Sequence, residues 1–242
     1  MRTMNTFYHR YIPRKHWFAK FDDKALIVLF AVILADIVFL LLHLGLNFDL
    51  FSDRQLHLEV DNGYSEQFQY LKLAVSVGLL LFVFVARRGK VRIMLALLLL
   101  FLLLEDILQV HEDFYLIGER FLSLQAIGEL TKRGLWELIY GLGVGGALLG
   151  LFLLTVIRTA DPVLRKRMVL LSILLVFFGV FGVLIDAFHG IFQHAGGTPY
   201  LESFLGIVED WGEMLTISLI TAVIIDDLYR TAPTKVLSGG PR

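Results

Sequence analysis

Six apolar stretches divide the sequence, and each is long enough to cross the hydrocarbon core of a membrane as an α-helix of about 20 residues. They lie near residues 24–46, 66–86, 91–112, 134–157, 167–190 and 203–226. Hydrophobic residues form 57% of the 242-residue chain, which is typical of a membrane protein. Because backbone groups in lipid must find hydrogen-bond partners within their own segment, these stretches predict helices. The expected fold class is all-α: a polytopic membrane protein built as a bundle of six transmembrane helices.

The basic residues indicate which side of the membrane each loop occupies. They cluster before the first stretch, between the second and third, between the fourth and fifth, and after the sixth. The clusters are Arg2, Arg10, Arg14, Lys15, Lys20 and Lys24; Arg87, Arg88, Lys90 and Arg92; Arg158, Arg165, Lys166 and Arg167; and Arg230, Lys235 and Arg242. The positive-inside rule therefore predicts cytoplasmic N and C termini. The expected location is an inner or plasma membrane of the bacterial type.

This topology divides the chain into three parts. Residues 1–23 are expected to form a basic, aromatic segment on the cytoplasmic membrane surface, residues 24–228 the six-helix transmembrane domain, and residues 229–242 a cytoplasmic tail. Within the second part, residues 114–133 alternate apolar and polar side chains at roughly helical spacing. That pattern predicts a helix along the outer interface, placed to act as a lid.

The composition and the motifs exclude several kinds of chemistry. The chain has no cysteine, which removes disulfides, thiolate metal ligands and cysteine nucleophiles. Its formal net charge of -1 gives no reason to expect a nucleic-acid partner. The sequence also lacks a phosphate-binding loop, a Gly-x-Ser-x-Gly elbow, a His-Glu-x-x-His pair and a dinucleotide fingerprint.

Ionisable residues within the predicted spans converge on the outer half of the membrane when depth is counted at about 1.5 Å per residue. The central set is Asp36, His43, Glu105, Asp106, Asp186, His189, Glu209 and Glu213. A charged residue at a helix centre costs about 2.5 to 3.5 kcal/mol on insertion scales. These carboxyl groups must therefore be protonated, hydrated in a cavity or bound to cations.

Oxygen and nitrogen donors of this kind are the ligands that zinc, iron or manganese accept. The pair Asp186-x-x-His189 is similar in spacing to the Glu-x-x-His half of carboxylate-bridged di-metal helices. A histidine hydrogen-bonded to a carboxylate in a packed bundle is the plainer interpretation of this pair. Together with the acids of the neighbouring spans, however, it predicts a divalent metal site whose ligands come from those eight residues.

Several other polar residues favour simpler interpretations. On an ideal helix His111 points away from Glu105 and its neighbours. Lys72 has the position of an interfacial lysine, although it lies on one face with Gln69 and Ser76 and could be a counter-ion. Asp226 and Asp227, at the inner border, are expected to be a solvated helix end.

Three hypotheses about function follow from the acidic convergence. The leading one is a metal-dependent membrane enzyme, in which metal-bound water or an oxygen species acts on a lipid-soluble substrate and a spare carboxylate moves protons. The second is a cation or proton transporter that uses the same acids, although its inner halves offer few polar groups. The third is a non-catalytic subunit of a larger membrane complex. The expected partners are the lipid bilayer and a metal ion, with another membrane protein or a second copy of the chain as further candidates.

Overall fold

The computed structural model describes residues 21–87, 89–122, 124 and 130–231. Most of the predicted surface segment 1–23, most of the tail 229–242 and part of the predicted interfacial helix 114–133 lie outside these residues. The described residues form α-helices joined by short connections, with one 3-10 turn at Arg54–Leu56 and no strand. The helices are α1 (Asp23–Asn47), α2 (Tyr64–Arg87), α3 (Lys90–Leu108), α4 (Val110–Phe121), α5 (Lys132–Ile157), α6 (Pro162–His194) and α7 (Pro199–Thr231).

Four of these helices, α1, α2, α5 and α6, are long and apolar enough to cross a membrane. Helix α3 and the part of α4 from Asp113 to Phe121 make a fifth candidate if this bent pair counts as one span. The all-helical prediction is confirmed for the described residues, and these four or five candidate spans are compatible with a helical membrane protein. Large apolar side chains are exposed along α1, for example Ile27, Phe30 and Leu41, as expected of a surface that faces lipid.

Helix α7 packs against α1, α2 and α6 and forms the centre of the bundle. Its 33 residues correspond to about 50 Å at 1.5 Å per residue. It is not among the four candidate spans, and it carries acidic residues in both halves, among them Glu209, Glu213 and Asp226. Its middle part contributes Ile217, Ile220 and Ile224 to the core. The remaining large core side chains come mainly from α2, α3, α5 and α6: Leu73, Leu80, Leu95, Leu99, Phe152, Met168 and Leu171.

The C-terminal end of α7 is held by ion pairs. Asp226 and Asp227 are only 6% and 3% exposed, so the expectation of a solvated helix end is wrong. Arg92 of α3 donates to Asp227 at 2.8 Å, and Arg167 of α6 bridges Asp226 at 3.2 Å and Asp227 at 3.0 Å. Arg230 closes the group on Asp226 at 3.0 Å. Three of the four basic clusters therefore supply partners to Asp226 and Asp227.

A sharp break separates α3 from α4. Gln109 adopts a left-handed conformation with φ 48° and ψ 42°, which an α-helix cannot contain. The axes of α3 and of the Asp113–Phe121 part of α4 differ by 94°. The predicted span near 91–112 is thus interrupted at Gln109, and its last residues belong to α4. Helix α4 then packs on α5, where the ring of Phe114 lies 4.9 Å from that of Tyr140.

Candidate cation site in an acidic cavity

A cavity of about 790 Å³ lies among α2, α3, α5, α6 and α7. Five of the eight predicted site residues line it: Glu105, Asp106, Asp186, Glu209 and Glu213. Five further carboxyl groups line the same space: Glu59, Asp61, Glu66, Glu137 and Asp210. Among the described lining residues, Arg133 is the one lysine or arginine, and it pairs with Glu137 at 2.7 Å. The cavity therefore carries far more potential negative charge than positive charge.

Part of the cavity wall is apolar. It is formed by side chains of α3, α5 and α6: Leu98, Phe101, Leu102, Leu148, Leu149, Leu175 and Phe178. One compartment thus has both an acidic and an apolar lining, which suits a molecule that combines a charged end with an apolar body.

Two histidines bind carboxylates of the cavity. His111 donates its backbone N–H to Oε1 of Glu105 at 3.1 Å, and its Nδ1 lies 2.6 Å from the same oxygen. The break at Gln109 makes this contact, so the expectation that His111 faces away from Glu105 is wrong because the helix is not continuous. His189 places Nδ1 3.0 Å from Oε2 of Glu209. The described hydrogen-bonding partners of His189 are therefore Glu209 at Nδ1 and Gln193 at Nε2, and Asp186 is not among them.

Other acids are held by neutral donors on α2 and in the connection just before it. Gln69 donates to Oε2 of Glu213 at 3.3 Å. Tyr70 donates its hydroxyl to Oε1 of Glu66 at 2.5 Å, and the backbone N–H of Asn62 donates to the other oxygen of Glu66. These donors satisfy individual oxygens without supplying a positive charge. The charge imbalance of the cavity remains.

Two cavity-lining residues each have a buried polar atom whose hydrogen-bonding capacity is unsatisfied. The hydroxyl of Ser65, a residue only 2% exposed, has no hydrogen-bond partner in the described part of the chain. Oδ2 of Asp106 is in the same state. A buried polar atom without a partner costs about 1 to 3 kcal/mol, and in native proteins such an atom often marks the place of a water or an ion. Both atoms belong to the wall of the acidic cavity.

Widened turns in α5 and α6 border the cavity. Residues Gly141–Gly145 and Val180–Ile185 each form a π-helical turn, a feature that often occurs at functional sites. The two helices approach closely there: a Cβ on Gly141 would lie 2.7 Å from Cγ2 of Val183. At Gly182, a Cβ would overlap the carboxylate of Glu213. The glycines therefore leave the space that Glu213 occupies.

The remaining predicted residues, Asp36 and His43, lie on α1 outside the cavity lining. Asp36 is fully buried and binds Nζ of Lys72 at 2.8 Å. Lys72 is therefore a buried counter-ion and not an interfacial lysine. His43 accepts the backbone N–H of Leu58 at Nδ1 over 3.2 Å, and its Nε2 lies 3.2 Å from Nδ2 of Asn47.

His43 also belongs to a group that can hold a metal ion by distance. Its partners, His57 and Glu59, come from the connection between α1 and α2, and one ligand atom from each of the three lies within 4.8 Å of the others. Glu59 also lines the cavity, so the two features share a residue. The prediction missed His57 and Glu59 because it considered ligands within the spans. The available signal was the His57-x-Glu59 spacing just before α2.

A family described as Domain of unknown function (DUF8692) matches residues 25–226. The chain belongs to this family. The DUF8692 region begins near the start of α1 and ends at Asp226, so it includes the whole cavity, the His43, His57 and Glu59 group and the Asp36–Lys72 pair. No protein with a curated description matches the chain, and no solved structure does so.

The hydrogen bonds of His43 set a condition for metal binding in the DUF8692 region. Because Nδ1 accepts the N–H of Leu58, the neutral ring carries its proton on Nε2, where the Asn47 amide must present its oxygen in order to accept it. Neither nitrogen then offers a free lone pair. Metal-bound histidines usually donate the second nitrogen to an acceptor. His43 can therefore become a ligand only after its hydrogen bond from the Leu58 N–H is broken. His57 and Glu59 can bind a metal without breaking that bond.

Proposed function

We propose that this protein is a six-span integral membrane protein that binds a divalent cation in its acidic cavity. In this arrangement α7 is the sixth span, α3 is the third, and both termini face the cytoplasm. The positions of the basic clusters support this orientation. The central packing of α7 supports its role as a span, because a helix surrounded by other helices can keep ionisable groups that lipid would not accept.

The imbalance of charge in one cavity carries the proposal. In the described part of the chain, ten carboxyl groups line the cavity beside a single arginine that is itself paired. An ionised carboxylate in a poorly hydrated site is costly unless it is paired or binds a cation. A divalent ion would neutralise two of these groups at once, and it would also supply a partner for the open oxygen of Asp106.

The mixed donor set favours zinc, iron or manganese over calcium. His57 and Glu59 are the first candidates for ligands, with His43 joining if it releases Leu58. The second group of candidates consists of predicted residues that line the cavity: Glu105, Asp106, Asp186, Glu209 and Glu213. Such an ion, when bound, would act as a Lewis acid and would activate a water molecule.

We further propose that the protein is an enzyme for a lipid-soluble substrate. The apolar wall would hold the body of the substrate, and the acidic wall would receive its polar end. Glu209 is the candidate for moving a proton, because its Oε2 already lies 3.0 Å from Nδ1 of His189. A carboxylate and an imidazole in contact can exchange a proton at that atom.

Metal analysis of the purified protein tests the proposal. The wild type should contain zinc, iron or manganese at a fixed ratio to protein, and His57→Ala or Asp106→Asn should lower that ratio. Glu202→Gln is the matched control, since Glu202 lies on the same helix as Glu209 but not in the cavity lining. A wild-type protein that holds no metal in a fixed ratio after dialysis against these ions would refute the site.

The two variants also distinguish the two ligand groups. If His57→Ala alone releases the metal, the ligands are those of the His43, His57 and Glu59 group. If Asp106→Asn alone releases it, the cavity carboxylates of the second group hold the ion. If Glu202→Gln lost as much metal as these two variants, the loss would reflect general damage to the folded protein. That result would count against both assignments.

A further inference from the structure

A second buried ionic cluster lies on the inner side of the cavity, and the cation proposal makes no use of it. Nζ of Lys72 lies 2.8 Å from Oδ1 of Asp36, 2.9 Å from the carbonyl oxygen of Met214 and 3.0 Å from Oγ of Ser218. Ser218 in turn donates to Oδ2 of Asp36 at 2.5 Å. The three side chains are at most 3% exposed. They join α1, α2 and α7.

Stability alone does not explain this cluster. Replacing a buried ion pair by well-packed apolar side chains is often neutral or stabilising, so such a pair is a weak stabiliser. Asp36 lies 13 residues after the start of α1 at Asp23, about 20 Å along the helix at 1.5 Å per residue. It is therefore near the middle of a candidate span. Ionisable residues at such depth usually mark ion or proton pathways.

The cluster is connected to the acidic cavity through α2 and α7. Met214, whose carbonyl accepts from Lys72, also lines the cavity. Gln69 lies one helical turn before Lys72 and donates to Glu213, another lining residue. Polar atoms therefore continue from the cavity wall to the ammonium group of Lys72.

Polar side chains also lie beyond the cluster, on the side away from the acidic cavity. One turn beyond Lys72 and Ser218, the hydroxyls of Ser76 and Thr221 lie 3.0 Å apart, and both residues are buried. Further along α7 come the ion-paired Asp226 and Asp227. Buried apolar side chains, among them Val223 and Ile224, lie between Thr221 and Asp226, so water must enter for a proton to pass this section.

We propose that the Asp36–Lys72–Ser218 cluster is a proton-binding site through which protons move between the acidic cavity and the other side of the membrane. In one state the Asp36 carboxylate pairs with the Lys72 ammonium, and the cluster is neutral. Proton uptake forms an O–H bond on Asp36 and breaks one on a hydronium ion that enters from the acidic cavity. The cluster then carries one positive charge. Release breaks the new O–H bond as the proton passes to a water molecule beside Thr221, which restores the pair.

The surrounding charges favour this cycle. From α7, Glu213 lies about one turn away on the cavity side, and from α3, Asp106 lines the same cavity. Both acids stabilise a positive cluster when ionised. On α1, His43 lies two turns further toward the cavity side and is hydrogen-bonded to Leu58 and Asn47. The proposal needs no metal, and so it can hold or fail separately from the cation site.

Proton flux into liposomes tests the cluster directly. The full-length protein is reconstituted without added metal, a potassium gradient with valinomycin sets the membrane potential, and an enclosed pH dye reports the flux. We expect the wild type to acidify the liposomes faster than protein-free liposomes do. The double variant Asp36→Asn with Lys72→Gln should lose this flux. It leaves no unpaired buried charge, so folding should be retained.

Two comparisons make the result decisive. Glu202→Gln should keep the wild-type flux, because Glu202 belongs neither to the cluster nor to the cavity lining. Ser218→Ala keeps the ion pair but removes one bond to each partner, and it should reduce the flux in part. The proposal is overturned if the wild type equals protein-free liposomes, or if the double variant conducts like the wild type. Should the double variant not fold, an undiminished flux in Ser218→Ala overturns it instead.

Discussion

The substitution Lys72→Met probes the buried ion pair through protein stability. In the wild type, Lys72 contributes three hydrogen bonds of 2.8 to 3.0 Å to Asp36, Met214 and Ser218. After the substitution, Asp36 keeps the bond from Ser218 as its described hydrogen bond and remains fully buried. Removing one partner of a buried pair costs about 3 to 5 kcal/mol. We therefore expect the free energy of unfolding to fall by about 4 kcal/mol.

The double variant Asp36→Asn with Lys72→Met tests whether the stability loss in Lys72→Met comes from the unpaired charge on Asp36. It removes both charges and should lie within about 2 kcal/mol of the wild type, so that the two single losses do not add. Unfolding by a denaturing detergent, followed by far-UV circular dichroism, measures all four members of the cycle. A loss below about 1 kcal/mol for Lys72→Met would refute the reasoning, because exposed pairs behave that way. A double variant that loses the sum of the singles would refute it as well.

Two further predictions concern packing and topology. Gly182→Ala should lower the free energy of unfolding by about 1 to 3 kcal/mol, since the added methyl group must displace the Glu213 carboxylate. Thermal unfolding measures this change. Gly179→Ala is the control and should change stability little, because a Cβ there would meet open space. The chain contains no cysteine, so single cysteines can report sidedness with a maleimide that does not cross membranes. Ser52→Cys should react in intact cells and Ala160→Cys only after permeabilisation; the reverse pattern would contradict the proposed orientation.

The acidic cavity was predictable from the sequence because depth along a helix depends mainly on counting residues. Glu105, Asp106 and Asp186 were expected at one level with Glu209 and Glu213, and the cavity brings those five together. Counting depth requires only the rise per residue and a shared starting level at one membrane face. An irregularity of one or two residues changes the depth by only a few Å.

The partners of individual side chains were less predictable. Facing direction changes by 100° per residue, so the left-handed Gln109 was enough to redirect His111 onto Glu105. No local pattern indicated this break, since Gln is an ordinary helix residue. The pairing of Asp36 with Lys72 depends on which helices are neighbours, and a single sequence does not provide that information.

The widened turn at residues 180–185 makes the direction of Asp186 depend on the number of residues in that turn. A π-helical turn holds about one residue more than an α-helical turn, so every side chain beyond it is rotated by about 100° relative to an uninterrupted helix. Asp186 is the first residue after the turn, and its direction toward the cavity depends on that one extra residue. Deleting one residue there would keep the apolar half of α6 in register but would rotate Asp186 away from the cavity, so related chains could gain or lose this cavity-lining acid without any substitution.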